Sequence, residues 1–148
     1  MKIVLIILAV LIALFILSQI WAKTGQRNIE TYPFVVEGKY DTFEIRTYEA
    51  SLFTSVKLPY VGYKKTSGKG FSILAGYIFG GNERKEKIAM TSPVAMSLED
   101  TMTVMFMVPK KFKQQSLPQP DQSRIVFREE PEKTVAAITF GGWANDKK

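Results

Sequence analysis

The pattern of apolar and polar positions changes period several times along the chain. From Ile3 to Leu17 every residue is apolar, and Ser18-Gln19-Ile20-Trp21-Ala22 carries the run on. As a helix, about 20 such residues span about 30 Å of hydrocarbon. A secretory signal has a shorter apolar core with small residues before its cleavage point. Ala22 fits such a point, but Ile20 and Trp21 do not, and Trp21 suits a membrane-interface belt. Residues 1–23 therefore read as a transmembrane anchor in preference to a cleaved signal segment, with residues 3–22 in the membrane. Lys2 on one side and Lys23 and Arg27 on the other leave the positive-inside count close to even. A lysine-short start followed directly by the span is expected to put the folded part outside the cytoplasm. Residues 24–33 are polar and aperiodic, a linker.

Beyond the linker the period shortens to two. Phe34 to Tyr40 and Thr42 to Tyr48 are rich in β-branched and aromatic residues. The second alternates, with Phe43, Ile45 and Thr47 on one face and Glu44, Arg46 and Tyr48 on the other, as in a half-buried strand. Ser51 to Leu58 follows closely enough to form a hairpin around Glu49-Ala50. From Thr66 to Gly80 the period becomes helical, with Phe71, Leu74, Ala75 and Ile78 on one stripe. Thr66 or Ser67 is placed to cap the start, and Gly80-Gly81 to end it in a left-handed turn. Gly70 and Gly76 each weaken this helix by about 1 kcal/mol relative to alanine, so it needs burial. Lys87 to Met96 reads as a strand or strand pair with a sharp defect at Ser92-Pro93, because proline cannot donate to a ladder. Thr101 to Val108 is apolar on both faces and therefore covered on both sides. Lys110 to Ser123 reads as a surface loop. Arg124 to Glu130 and Thr134 to Phe140 form a second strand pair. The fold class is α+β, residues 34–148 forming one domain.

Composition removes several chemistries. With no cysteine and no histidine, disulfides, thiolate catalysis, Cys/His zinc sites and a Ser-His-Asp triad are excluded. The net charge is +6, but the lysines are dispersed and no nucleic-acid motif accompanies them. Gly62 to Gly70 glances at a phosphate-binding loop, yet five residues separate its glycines where four are required, and Gly70 replaces the hydroxyl residue. Glu99-Asp100 and Glu129-Glu130 are adjacent in sequence, so on a strand they point to opposite faces and make poor acid/base partners. No catalytic or metal-ligating set emerges. Met90, Met96, Met102, Met105 and Met107 crowd one stretch. They suit either a gap-filling core or a soft wall for a flat apolar ligand.

Phe71-x-x-Leu74-x-x-Tyr77-Ile78-x-Gly80-x-Asn82, followed by Lys87-Ile88-x-Met90-Thr91-x-Pro93-Val94, resembles the central signature of the SOUL haem-binding protein family. The motif runs in order with matching gaps, and weaker likeness extends from about Tyr40 to Trp143. The resemblance implies a twisted antiparallel sheet or half-barrel of β-α-β-β units, here with one main helix. It also lends weight to an internal repeat: Phe43 to Val56 and Val126 to Ile138 each run strand, arginine, acidic turn, apolar strand. After the second copy the family's further helix and strands are missing, so an uncovered C-terminal face is expected, available to a protein partner or to self-association. The ligand implied is haem or a related tetrapyrrole in an apolar cleft beside the helix. Carried over by position, the cleft implicates Phe71, Leu74, Ile78, Met90 and Pro93, with Lys64, Lys65 and Lys69 near the helix start for propionates. Covering roughly 400 Å² of porphyrin contributes about 10 kcal/mol before binding costs, enough for micromolar affinity without a coordinate bond. The alternative is a non-catalytic, membrane-anchored interaction module with the same fold and no ligand.

Overall fold

The computed structural model describes residues 2–26, 29–98, 100–142 and 144. In chain order the elements are α1 (Lys2–Gln26), β1 (Phe34–Lys39), β2 (Glu44–Tyr48), β3 (Ser51–Pro59), α2 (Tyr63–Ile78), β4 (Val94–Leu98), β5 (Thr101–Met107), β6 (Val126–Glu130) and β7 (Lys133–Ala137). A 3-10 turn at Gln114–Ser116 lies between β5 and β6. The strands form two antiparallel sheets, β1-β2-β7 and β4-β5-β3-β6. The α+β class stands, and trailing Trp143 and Asn145 to Lys148 lie outside the described residues.

The two expected hairpins are not hairpins. β2 pairs with β1 and β7, and β3 with β5 and β6. Burial explains this. β3 hides Val56 and Leu58 on one face and Phe53 on the other, which calls for an equally apolar neighbour, and β5 is one. The turns at Glu49-Ala50 and Pro131-Glu132 are instead corners at which the chain passes from one sheet to the other. The two bent arms pair with each other throughout. Stepping from Tyr48 to Ser51 moves the partner from Lys133 to Glu130, so the register passes both corners without a slip. Exchanging β2 with β6 and β3 with β7 maps this ribbon onto itself, the relation expected of the internal repeat.

α2 packs on β3 and β5. Between them Val56, Leu58, Leu74, Tyr77, Ile78, Met102, Val104 and Phe106 form the main core. Gly70 permits the contact: a Cβ there would lie 2.5 Å from Val104 Cγ2. On the opposite face of the same sheet Phe53, Met105 and Met107 pack with Tyr32, whose ring centroid is 4.7 Å from Tyr48 and 5.1 Å from Phe53. β5 is thus covered on both sides, as its sequence requires. The loop after it is no simple surface loop. Leu117 and Pro118 are buried, and the Tyr77 hydroxyl donates to the Pro118 carbonyl at 2.9 Å.

Contacts of the folded part begin inside the stretch expected as linker. Thr31 bridges Ser92, and the amides of Ser92 and Tyr32 bond the carbonyls of Glu30 and Ser92 at 2.9 and 2.8 Å. Tyr32 is apolar enough to be drawn into the second core, and it pulls its neighbours in. Among the described residues α1 contributes none to either core cluster, and no helix is long and apolar enough to cross a membrane.

Candidate functional site

α2 opens on Gly62, whose φ of 106° is open to glycine at little strain. Thr66, expected as a cap, lies inside the helix. It is buried, and its hydroxyl accepts the Val61 amide at 3.1 Å. The helix ends as its glycines foretell: Gly80 has φ 111°, and Gly81 N–H donates to the Gly76 carbonyl at 2.8 Å. Asn82 then locks the exit. It is fully buried; its amide donates to the Tyr77 and Glu86 carbonyls, and its oxygen accepts the Arg84 and Glu86 amides.

From there the chain runs back along the helix. Ile88 N–H bonds the Ile78 carbonyl at 2.8 Å, the Thr91 hydroxyl bonds the Met107 carbonyl at 2.7 Å, and the cis Ser92-Pro93 bond leads into β4. β4 pairs with β5, Val94 opposite Phe106 and Met96 opposite Val104. This leaves a shallow flank between α2 and the edge strand. Its floor is Phe106, Val94 and Met96. Phe71 stands on that floor, its ring 5.2 Å from Phe106 in edge-to-face contact.

The eight residues carried over by motif fall into three groups. Phe71, Met90 and Pro93 are exposed, the first two by 38% and 40%. Leu74 and Ile78, at 0% and 4%, are core residues beneath the helix and present almost no surface. The lysines divide. Lys64 precedes Phe71 by seven positions and shares its side of the helix. Lys65 lies six positions before Phe71, about 240° around the helix. With Lys69 it borders a cleft of 250 Å³ on the other flank, lined also by Leu58, Pro59, Val61 and Thr66. A larger cleft of 420 Å³ sits at the corner of the ribbon, between Ala50–Leu52 and Glu129–Pro131. Neither cleft includes Phe71, Leu74, Ile78, Met90 or Pro93. The methionines also divide: Met96 and Met102 face α2, while Met105 and Met107 face Tyr32. Val94 and Phe106, absent from the motif-based set, complete the flank. Their strand register relative to one another was the missing information.

The strongest electrostatic features lie away from this flank. Burial pushes the Tyr77 phenol up to about 12. At the ribbon corner Glu130 is buried between Lys133, 2.9 Å away, and the Arg128 guanidinium. The Lys133 hydrogen bond, against the effect of burial, holds its carboxyl below the usual range. Tyr32 Oη is buried with no hydrogen-bond partner among the described residues, and burial raises its pKa. Among the described residues no group of acidic side chains is arranged to hold a metal ion.

Residues 29–148 match the family profile described as SOUL heme-binding protein. Among curated proteins, heme-binding protein 2 of Mus musculus is 27% identical over 124 residues, covering 78% of this chain and 60% of that protein. Heme-binding protein 2 of Homo sapiens is 29% identical over 115 residues, 72% of this chain and 56% of its own length. Heme-binding protein 1 of Sus scrofa is 26% identical over 131 residues, 80% and 69%. The chain thus spans less than two thirds of the first two relatives. With the profile covering most of its length, the chain belongs to the SOUL family.

Proposed function

We propose that the chain binds haem, or a related flat tetrapyrrole, on the flank between α2 and β4, without catalysis. Exclusion of water holds the ligand, and no histidine exists to ligate it. One observation carries the reading: Phe71 stands exposed at 38% over an apolar floor of Phe106, Val94 and Met96, with Met90, exposed at 40%, on the segment that leads into β4. A planar apolar ligand laid there covers surface that water now touches. Phe71, Met90 and Pro93 would hold its face, and Lys64 would meet a propionate. The porphyrin macrocycle supplies the Soret band by which binding is read. The flank is open and not enclosed, so a ligand there is only partly covered and the expected affinity is weak. The names of the relatives support the ligand class.

The test is a haemin titration of residues 24–148, a fragment that keeps both core clusters. Saturable Soret growth is expected, and binding no better than that of an unrelated basic protein overturns the reading. The same proposal seats α1 in a bilayer as an uncleaved anchor, with the folded part on the outer side. Residues 3–22 are apolar but for Ser18 and Gln19, and Ile3, Ile6, Leu11 and Phe15 are exposed by 58 to 73%. Resistance of the full chain to alkaline carbonate extraction is the expected result. A second reading, an interaction module, draws on the three-stranded sheet and the segment that follows it, where Val35 and Val36 of β1 and Ile138 and Phe140 beyond β7 are exposed. It gains if haemin does not bind.

A further inference from the structure

Among the described residues after α1, Glu30 is the first that is fastened to the folded part. Glu30 accepts the Lys110 backbone N–H at 2.8 Å through Oε1, while its carbonyl accepts the Ser92 amide at 2.9 Å. The loop so tied begins Lys110-Lys111-Phe112-Lys113, with all three lysines exposed. Phe112 packs against the main core and fixes the loop. The acids facing it are Glu30, engaged as described, and Glu49, which lies 3.1 Å from Lys110 Nζ. Lys111, its Nζ 4.9 Å over the Phe112 ring, and Lys113 have no ion pair among the described residues.

We infer that Lys110–Lys113 is a lipid-headgroup contact, by which the folded part lies on the anionic surface of the membrane holding α1. The inference rests on the anchor reading above. From residue 22 to Gln26 the helix rises about 6 Å, and from Gln26 to Glu30 the chain spans at most about 14 Å. The fastening point at Glu30 therefore stays within about 20 Å of the bilayer, about two and a half screening lengths at physiological salt, and closer whenever the chain is not fully extended. Tethering makes even weak attraction effective, because the second contact is intramolecular. The far end of the sheet lies elsewhere: Ser92 to Leu98 is about 20 Å of extended chain, and exposed Val61 sits beyond α2's first residue. Val61 shares the smaller cleft with Lys65 and Lys69, so its distance from the fastening point, and not an absence of charge, sets it apart. The exposed end of the flank at Met90 lies next to the fastening point, so a ligand there faces the bilayer.

The chain has no cysteine, so Gln115→Cys, exposed in the same loop with all three lysines kept, and Val61→Cys each give a single site for a nitroxide label. The full-length variants are placed in nanodiscs of phosphatidylcholine, alone or mixed with anionic phosphatidylglycerol, and relaxation by headgroup-chelated nickel is read. The label at 115 is expected to gain at least about fivefold in the anionic discs, the factor one lysine contributes at such a surface. The label at 61 is expected to stay unchanged. Equal relaxation at 115 in both lipids, or an equal gain at 61, overturns the inference with the anchor intact. Failure of the chain to enter discs and resist carbonate overturns the anchor reading, and this inference with it. Neither outcome bears on haemin titration of the anchorless fragment.

Discussion

Phe71→Asp separates a ligand surface from a packing surface. Phe71 leaves 38% of its area in water. For an aromatic of about 200 Å², that is about 75 Å² for a ligand to cover, contributing about 2 kcal/mol. Loss of this contact alone weakens binding about 25-fold, and a carboxylate facing a propionate-bearing ligand adds repulsion. At least a tenfold rise in Kd is expected from Soret titration of residues 24–148. The buried remainder, about 125 Å², is worth about 3 kcal/mol by the same rule, and the edge-to-face contact with Phe106 about 1 kcal/mol more, so the variant is destabilised but keeps both core clusters, to which Phe71 does not belong. Circular dichroism and a melting curve check this. Ile78→Asp, the natural companion from motif alone, cannot serve. It puts a carboxylate where 4% of the side chain is exposed, and the fold would fail before the site was tested. A folded Phe71→Asp that binds haemin within twofold of the unmutated fragment refutes the placement on the α2–β4 flank.

Lysine placement gives a second test: Lys64→Glu should weaken haemin binding about threefold in a salt-dependent way, as a screened exposed pair does, while Lys65→Glu and Lys69→Glu, on the other flank, leave it unchanged. The two helix glycines should respond oppositely in thermal melts. Gly76 faces open space and Gly76→Ala gains about 1 kcal/mol. Gly70→Ala drives a methyl into Val104 and loses about 1 to 3 kcal/mol, recovered in part by Val104→Ala. For Glu130 the folded-state pKa lies below its usual value of 4.5, chiefly through the Lys133 hydrogen bond. Its stabilisation is therefore full above that value and lost as pH falls through the folded one; Glu130→Gln should flatten the acid limb of a stability-pH profile. Tyr77 has the reverse sign, raised from 10.0 to about 12 by burial. Its stabilisation holds below pH 10 and fades toward pH 12, and Tyr77→Phe should remove that alkaline loss along with the Pro118 hydrogen bond.

How much of this was legible in the residues depends on how local each signal is. α2's apolar stripe, its glycine terminus and the doubly apolar β5 are local, and each emerged with its expected role. Pairing is not local. β2 and β3 alternate and adjoin like a hairpin, and nothing within Thr42–Leu58 reveals that β3's two buried faces demand β5 instead. Only the repeat at Val126–Ile138 hinted that two such arms cross. The site was half legible for the same reason. A motif preserves spacing along the chain and does not say which turn of a helix faces outward, so it grouped Leu74 and Ile78 with Phe71, though the first two hold the helix down. It also grouped Lys65 with Lys64, which a single residue step rotates by about 100°. The floor residues Phe106, Val94 and Met96 come together only through the β4–β5 register. Motif residues such as Asn82, with four hydrogen bonds and no exposure, answer to the shape of the helix exit. The signature that places this chain in its family is thus in large part a folding signature. The proposed ligand surface is the smaller set, Phe71, Met90 and Pro93, that the fold leaves in water.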